Sequence, residues 1–221
     1  MLRLHSARFR GLMVASALTV AALGSGARAD LVLSANLTHD QESAPNGTTP
    51  LTTSTGDPRA LSYGIATFVL NDAQTSLTMD ATVYNIDVTG SQTADTNDNL
   101  VAAHIHVGAP PGTNAPVRWG FFGTPDNDTN PDNLIVTPFG VGVGGNFKSV
   151  WDLPEGNGGT NLTDNLPGIL GGLAYLNFHT VQFGGGEIRG QITSAAVPEP
   201  GSFALLAAGL PGLLALRRRK R

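Results

Sequence analysis

Apolar and polar residues alternate with a period of two through much of residues 31–193, the pattern of strands with one buried face. Leu31–Leu37 opens the series. Tyr63–Leu70 and Ser76–Ile86 follow, joined through turn residues at Asn71-Asp72, which predicts a hairpin. Within the second, Leu77, Met79, Ala81 and Val83 share one face, and Thr78, Asp80, Thr82 and Tyr84 the other. Further strands are expected at 101–107, 117–122, 134–137 and 147–153, with one short helix over 163–171 led by Asp164. Leu173–Thr180 and Glu187–Thr193 flank a glycine-bearing return and read as an antiparallel pair. Asp40–Asp57 is polar, carries Pro and Gly, and reads as a long loop. Eight or nine strands at this spacing predict an all-β fold, an antiparallel Greek-key β-sandwich or barrel.

The stretch Val101-Ala-Ala-His-Ile-His-Val107 sets the chemistry. Side chains on a strand alternate faces, so His104 and His106 project from one side, about 6–7 Å apart. The terminal pair carries a second polar face, with Tyr175, Asn177 and His179 on one strand and Glu187, Arg189 and Gln191 on the other. Two readings are open. In one, these residues form a buried network: Arg189 pairs with Glu187 or a loop carboxylate, Asn177 joins them, and the histidines donate to backbone carbonyls. In the other, His104, His106, His179 and Glu187 hold copper or zinc, both of which accept imidazole nitrogen. His-x-His on a sandwich strand is a local pattern shared with the copper/zinc superoxide dismutases, an analogy that carries no activity with it.

Composition narrows the alternatives. The absence of cysteine excludes disulfides and thiolate metal sites. Four arginines fall in residues 1–29 and five basic residues in 217–221, while the body between Asp30 and Ala196 has sixteen Asp and Glu against four basic residues. So acidic a body repels phosphate backbones, which excludes nucleic acid as a partner. Asp126-x-Asp128-x-Asn130-x-Asp132 resembles half of a calcium loop, but Pro131 stands where glycine is required and Thr137 where glutamate is. That rules out an EF-hand and leaves a solvated turn or a looser calcium site. With no Gly-x-Ser-x-Gly elbow and no phosphate-cradling glycine loop, the body is expected not to be an enzyme.

Both ends read as sorting information. Met1–Ala29 has a basic start (Arg3, Arg8, Arg10), a short apolar run and the A-x-A site Ala27-Arg28-Ala29, so it reads as a signal peptide with Asp30 as the mature N-terminus. The apolar run falls short of the ~20 residues of a spanning helix. At the other end Pro198-Glu199-Pro200 precedes the apolar segment 203–216, expected as a helix, and the basic cluster 217–221. This arrangement resembles the PEP-CTERM sorting signal of Gram-negative bacteria that make exopolysaccharide. The resemblance implies recognition at Pro198, Glu199 and Pro200 by an exosortase, removal of the tail and delivery to the cell surface or matrix. The expected organisation is 1–29 signal peptide, 30–196 folded domain and 197–221 sorting segment.

Leu37-Thr-His-Asp-Gln-Glu42, Gly64–Leu70 with Leu77–Val83, Ala102-Ala-His-Ile-His106, and Tyr175–Thr180 with Gly185-Gly-Glu-Ile-Arg-Gly-Gln191 together resemble a CHRD domain, the module named in chordin. The segments at 48–60, 91–99 and 124–145 depart from its compact form by insertion. The resemblance implies a β-sandwich and leaves the biochemical role open. The function expected is that of an exported structural or binding component of the extracellular matrix. Its partners would be signal peptidase, exosortase and exopolysaccharide, with the membrane met only in transit. The competing expectation is a secreted metalloprotein with a histidine site.

Overall fold

Each alternating segment forms a strand because one of its faces is apolar and needs a partner layer. In the computed structural model, which describes residues 29–129 and 134–194, the strands are β1 Leu31–Thr38, β2 Tyr63–Leu70, β3 Ser76–Tyr84, β4 Leu100–Val107 and β5 Val117–Phe122. They continue as β6 Ile135–Pro138, β7 Gly144–Asp152, β8 Ala174–Thr180, β9 Ile188–Gln191 and the two-residue β10 Thr193–Ser194, with helix α1 Leu162–Leu170 before β8. The 203–216 segment, Ala27, Pro198, Glu199 and Pro200 lie outside the described residues. Ala29 and Asp30 fall within them and are exposed.

All named strands pair antiparallel in one sheet, in the order β5-β4-β8-β9-β1-β2-β3-β7-β6, with β10 on β1. The sheet curls until its ends face each other. Trp119 of β5 stacks on Trp151 of β7 with ring centroids 5.6 Å apart, and Phe147 of β7 meets Phe178 of β8 at 5.2 Å. One apolar core therefore serves both halves, including Leu33, Leu37, Phe68, Met79, Ile105, Leu176 and Ile188. The expected all-β fold and the hairpin of β2 with β3 are both observed.

Local differences have local causes. The 76–86 strand stops at Tyr84, because Asn85 takes a positive φ of 62° that breaks the extended ladder. The 40–57 loop includes a 3-10 turn at Asn46–Thr48, just after another at His39–Gln41. Helix α1 starts one residue earlier than expected, where Asn161 and Asp164 form a reciprocal capping box. Gly190 permits β9 to approach β1, since a Cβ there would lie 2.6 Å from the Asn36 carbonyl oxygen.

The two halves of the sheet treat their outer faces differently. On β2, exposed and buried residues alternate, and the outer face is open. On β8 all seven residues are buried, because the 39–62 and 108–116 loops cover the outer face. Asn46 Nδ2 donates to Gly186 O at 3.0 Å, Arg59 engages Glu187, and Tyr175 Oη accepts from Ala115 N at 3.1 Å. A polar layer is thus enclosed on the side of the sheet opposite the apolar core.

Candidate metal centre

Strand register assembles this layer. Across β4 and β8, Ala102 faces His179, His104 faces Asn177, and His106 faces Tyr175; across β8 and β9, Asn177 faces Arg189. Alternation sends Ala103, Ile105, Leu176 and Phe178 into the apolar core and the polar residues to the other side. On β5, Gly120 leaves room for the His104 ring, whose Cδ2 is 3.1 Å from where a Cβ would stand. The three histidines are buried, with ring centroids 4.9 Å apart for His104–His179, 5.8 Å for His104–His106 and 6.0 Å for His106–His179.

The backbone fixes the state of each ring. His104 Nε2 lies 3.1 Å from Thr124 O, His106 Nδ1 2.8 Å from Ala115 O, and His179 Nδ1 3.1 Å from Gly184 O. A carbonyl only accepts, so each of these nitrogens carries the hydrogen and, in a neutral ring, the other nitrogen is bare. The bare atoms are His104 Nδ1, His106 Nε2 and His179 Nε2. His104 Nδ1 and His179 Nε2 approach to 3.2 Å, and His106 Nε2 is buried without a hydrogen-bond partner. One ligand nitrogen from each ring lies within 4.8 Å of those of the other two. Burial, with repulsion between neighbouring rings, pushes His104, His106 and His179 down to about 4, so all three are neutral at pH 7. Three lone pairs converging in a dry site, each ring oriented by a backbone carbonyl, fit a transition metal.

Glu187 does not join them. Its carboxylate is taken by Arg59, by the Ser62 hydroxyl, and by Thr180 Oγ1 at 2.6 Å. The expected Arg189–Glu187 pair is therefore replaced by Arg59–Glu187. Arg189 instead donates through Nη2 to Pro110 O at 3.2 Å, and it acts electrostatically on a loop carboxylate, Glu42, whose pKa burial raises to about 7 against the pull of that guanidinium. The Arg189 guanidinium lies 3.4 Å from the centroid of the Tyr175 ring, which also stacks on His106 at 4.6 Å. Asn177 stands between His104 and Arg189 in register, with Oδ1 buried and unpartnered. Glu42, Arg59 and Tyr175 are the members that the strand pattern did not single out for the site. The signal for Tyr175 was its place on the same face as Asn177 and His179.

The acidic loop is organised differently. Asn130 and Asp132 lie outside the described residues. Asp126 Oδ1 accepts from Asp128 N at 3.2 Å, and the Asp128 carboxylate turns inward to Ser149 and to Leu134 N. These two side chains close a turn onto β7. Among the described residues, only His104, His106 and His179 form a group able to hold a metal through three such side chains.

The sequence model of the CHRD domain matches residues 33–192, and that of the PEP-CTERM protein-sorting motif matches residues 196–221. No curated protein and no solved structure matches the chain.

Proposed function

The chain belongs to the CHRD domain family, and on that premise we propose that its body holds one transition-metal ion, copper or zinc, at His104, His106 and His179. The PEP-CTERM motif is a signal for export across the inner membrane to the cell surface or extracellular space, and it implies processing by exosortase. The metal site would operate there, in a binding protein rather than an enzyme.

The observation that carries this reading is the 3.2 Å approach of His104 Nδ1 to His179 Nε2, each bare because its ring donates elsewhere. Two lone pairs so placed repel, and a cation between them removes the repulsion. A shared proton is disfavoured because burial penalises the imidazolium. His106 Nε2 supplies the third donor. A bound ion would supply Lewis acidity or, for copper, a redox centre. X-ray absorption of the copper- or zinc-loaded protein tests the assignment. Three imidazole nitrogens at about 2.0–2.1 Å are expected, and a shell of oxygen donors alone would overturn it.

A matrix role is supported by a separate observation on the open face of the sheet. Tyr63 stacks on Tyr84 at 4.6 Å with 10° between the rings, and Tyr63 and Ile65 are about half exposed. An aromatic platform of this kind suits the C–H faces of sugar rings in an exopolysaccharide. Co-sedimentation with the native exopolysaccharide is expected to weaken in Tyr63→Ala, and unchanged binding would count against this surface.

A further inference from the structure

Building on the three-histidine reading, we propose that the site is selective for monovalent copper and that Arg189 contributes to that selectivity. The ligand set carries no charge. Three neutral imidazoles donate, their N–H groups go to the carbonyls of Thr124, Ala115 and Gly184, and the nearby carboxylate Glu187 is committed to Arg59. The complex therefore keeps the full charge of its ion. His104, His106 and His179 are 5%, 8% and 6% exposed, so that charge is held away from water. The cost of burying a charge grows with its square, which makes a divalent ion about four times as costly as a monovalent one in the same place.

Arg189 adds to the discrimination. It is 1% exposed and its Nη1 has no hydrogen-bond partner. Tyr175, packed against both side chains, keeps the guanidinium near the site. Repulsion from a fixed positive charge is twice as large for a divalent ion. The charged groups around it are Glu42, which interacts with Arg189 electrostatically, and the Arg59–Glu187 pair, which is internally balanced. Coordination number points the same way. Zinc takes four ligands, so that beside three histidines a water must fill the fourth position, whereas three nitrogens satisfy copper(I). Among the described residues no fourth His, Asp or Glu joins the group, and the chain has no cysteine.

The test is anaerobic competition of the purified full-chain protein against chromophoric chelators, with Cu(I) and Zn(II) measured separately. Cu(I) is expected to bind one-to-one and more tightly than Zn(II). Arg189→Gln should narrow the Cu(I)-to-Zn(II) affinity ratio on the order of tenfold, Arg189→Lys should keep it, and at pH 8 or above, where Glu42 is ionised, Glu42→Gln should widen it. The ratio reports charge, which a merely structural role of Arg189 would not move. If neither metal binds through the histidines, the three-histidine reading itself fails. If Zn(II) binds as tightly as Cu(I), that reading stands and the selectivity is overturned. A ratio unmoved in both Arg189→Gln and Glu42→Gln removes Arg189 from the account.

Discussion

His104 Nδ1 stands 3.2 Å from His179 Nε2, although backbone carbonyls have already committed the other nitrogen of each ring as a donor. The fold thus holds two acceptors against each other, and strand pairing of β4 with β8 prevents them from separating. A cation between them would relieve that repulsion.

Metal should therefore stabilise the wild-type fold. With free copper or zinc a thousandfold above its dissociation constant, the unfolding free energy is expected to rise by about 4 kcal/mol. His179→Ala should show no such gain. Urea titrations with and without metal decide this, and an equal gain in both proteins would place the ion elsewhere.

Glu42 gives the fold a pH dependence of defined sign. Burial raises its pKa from 4.5 to about 7, so the folded protein keeps a proton that the unfolded chain releases. Its contribution is fully present below pH 4.5 and is lost as pH rises through 7. Compared with Glu42→Gln, the wild type should lose ~2–4 kcal/mol across that window. Unfolding midpoints of the two proteins between pH 4 and pH 8 measure the difference, and parallel curves would contradict the assignment.

Arg59 is the counter-charge of a fully buried carboxylate, so removing it should be severe. Arg59→Met leaves Glu187 with the Ser62 and Thr180 hydroxyls but no cation. A loss of about 3–5 kcal/mol is expected, with part of it recovered in the double variant Arg59→Met/Glu187→Gln. Chemical denaturation of the three proteins gives the coupling directly. An Arg59→Met protein as stable as wild type would show that the pair is dispensable.

Much of this fold is legible from alternation because strands such as β2 and β3 pair with their sequence neighbours and bury one face. The limits of Tyr63–Leu70 and Val117–Phe122 follow directly from their patterns. The shared face of His104 and His106, and their convergence with His179, follow from the same period once β8 lies beside β4. The partners of Glu187 and Arg189 were not legible. They come from Arg59 and the Pro110 carbonyl, in loops with no periodicity to say which face of the sheet they cover. A strand read as half polar, β8, proved buried on both sides for the same reason. The curl that brings Trp119 onto Trp151 is likewise a property of the whole sheet rather than of either strand.

The most direct measurement is the metal content of the protein purified without chelators or a histidine tag, alongside His106→Ala. The three-histidine site predicts close to one copper or zinc ion per wild-type chain and little in the variant. A wild-type protein that retains neither metal, even after copper and zinc are added back, would contradict it and leave the three histidines as a buried polar network.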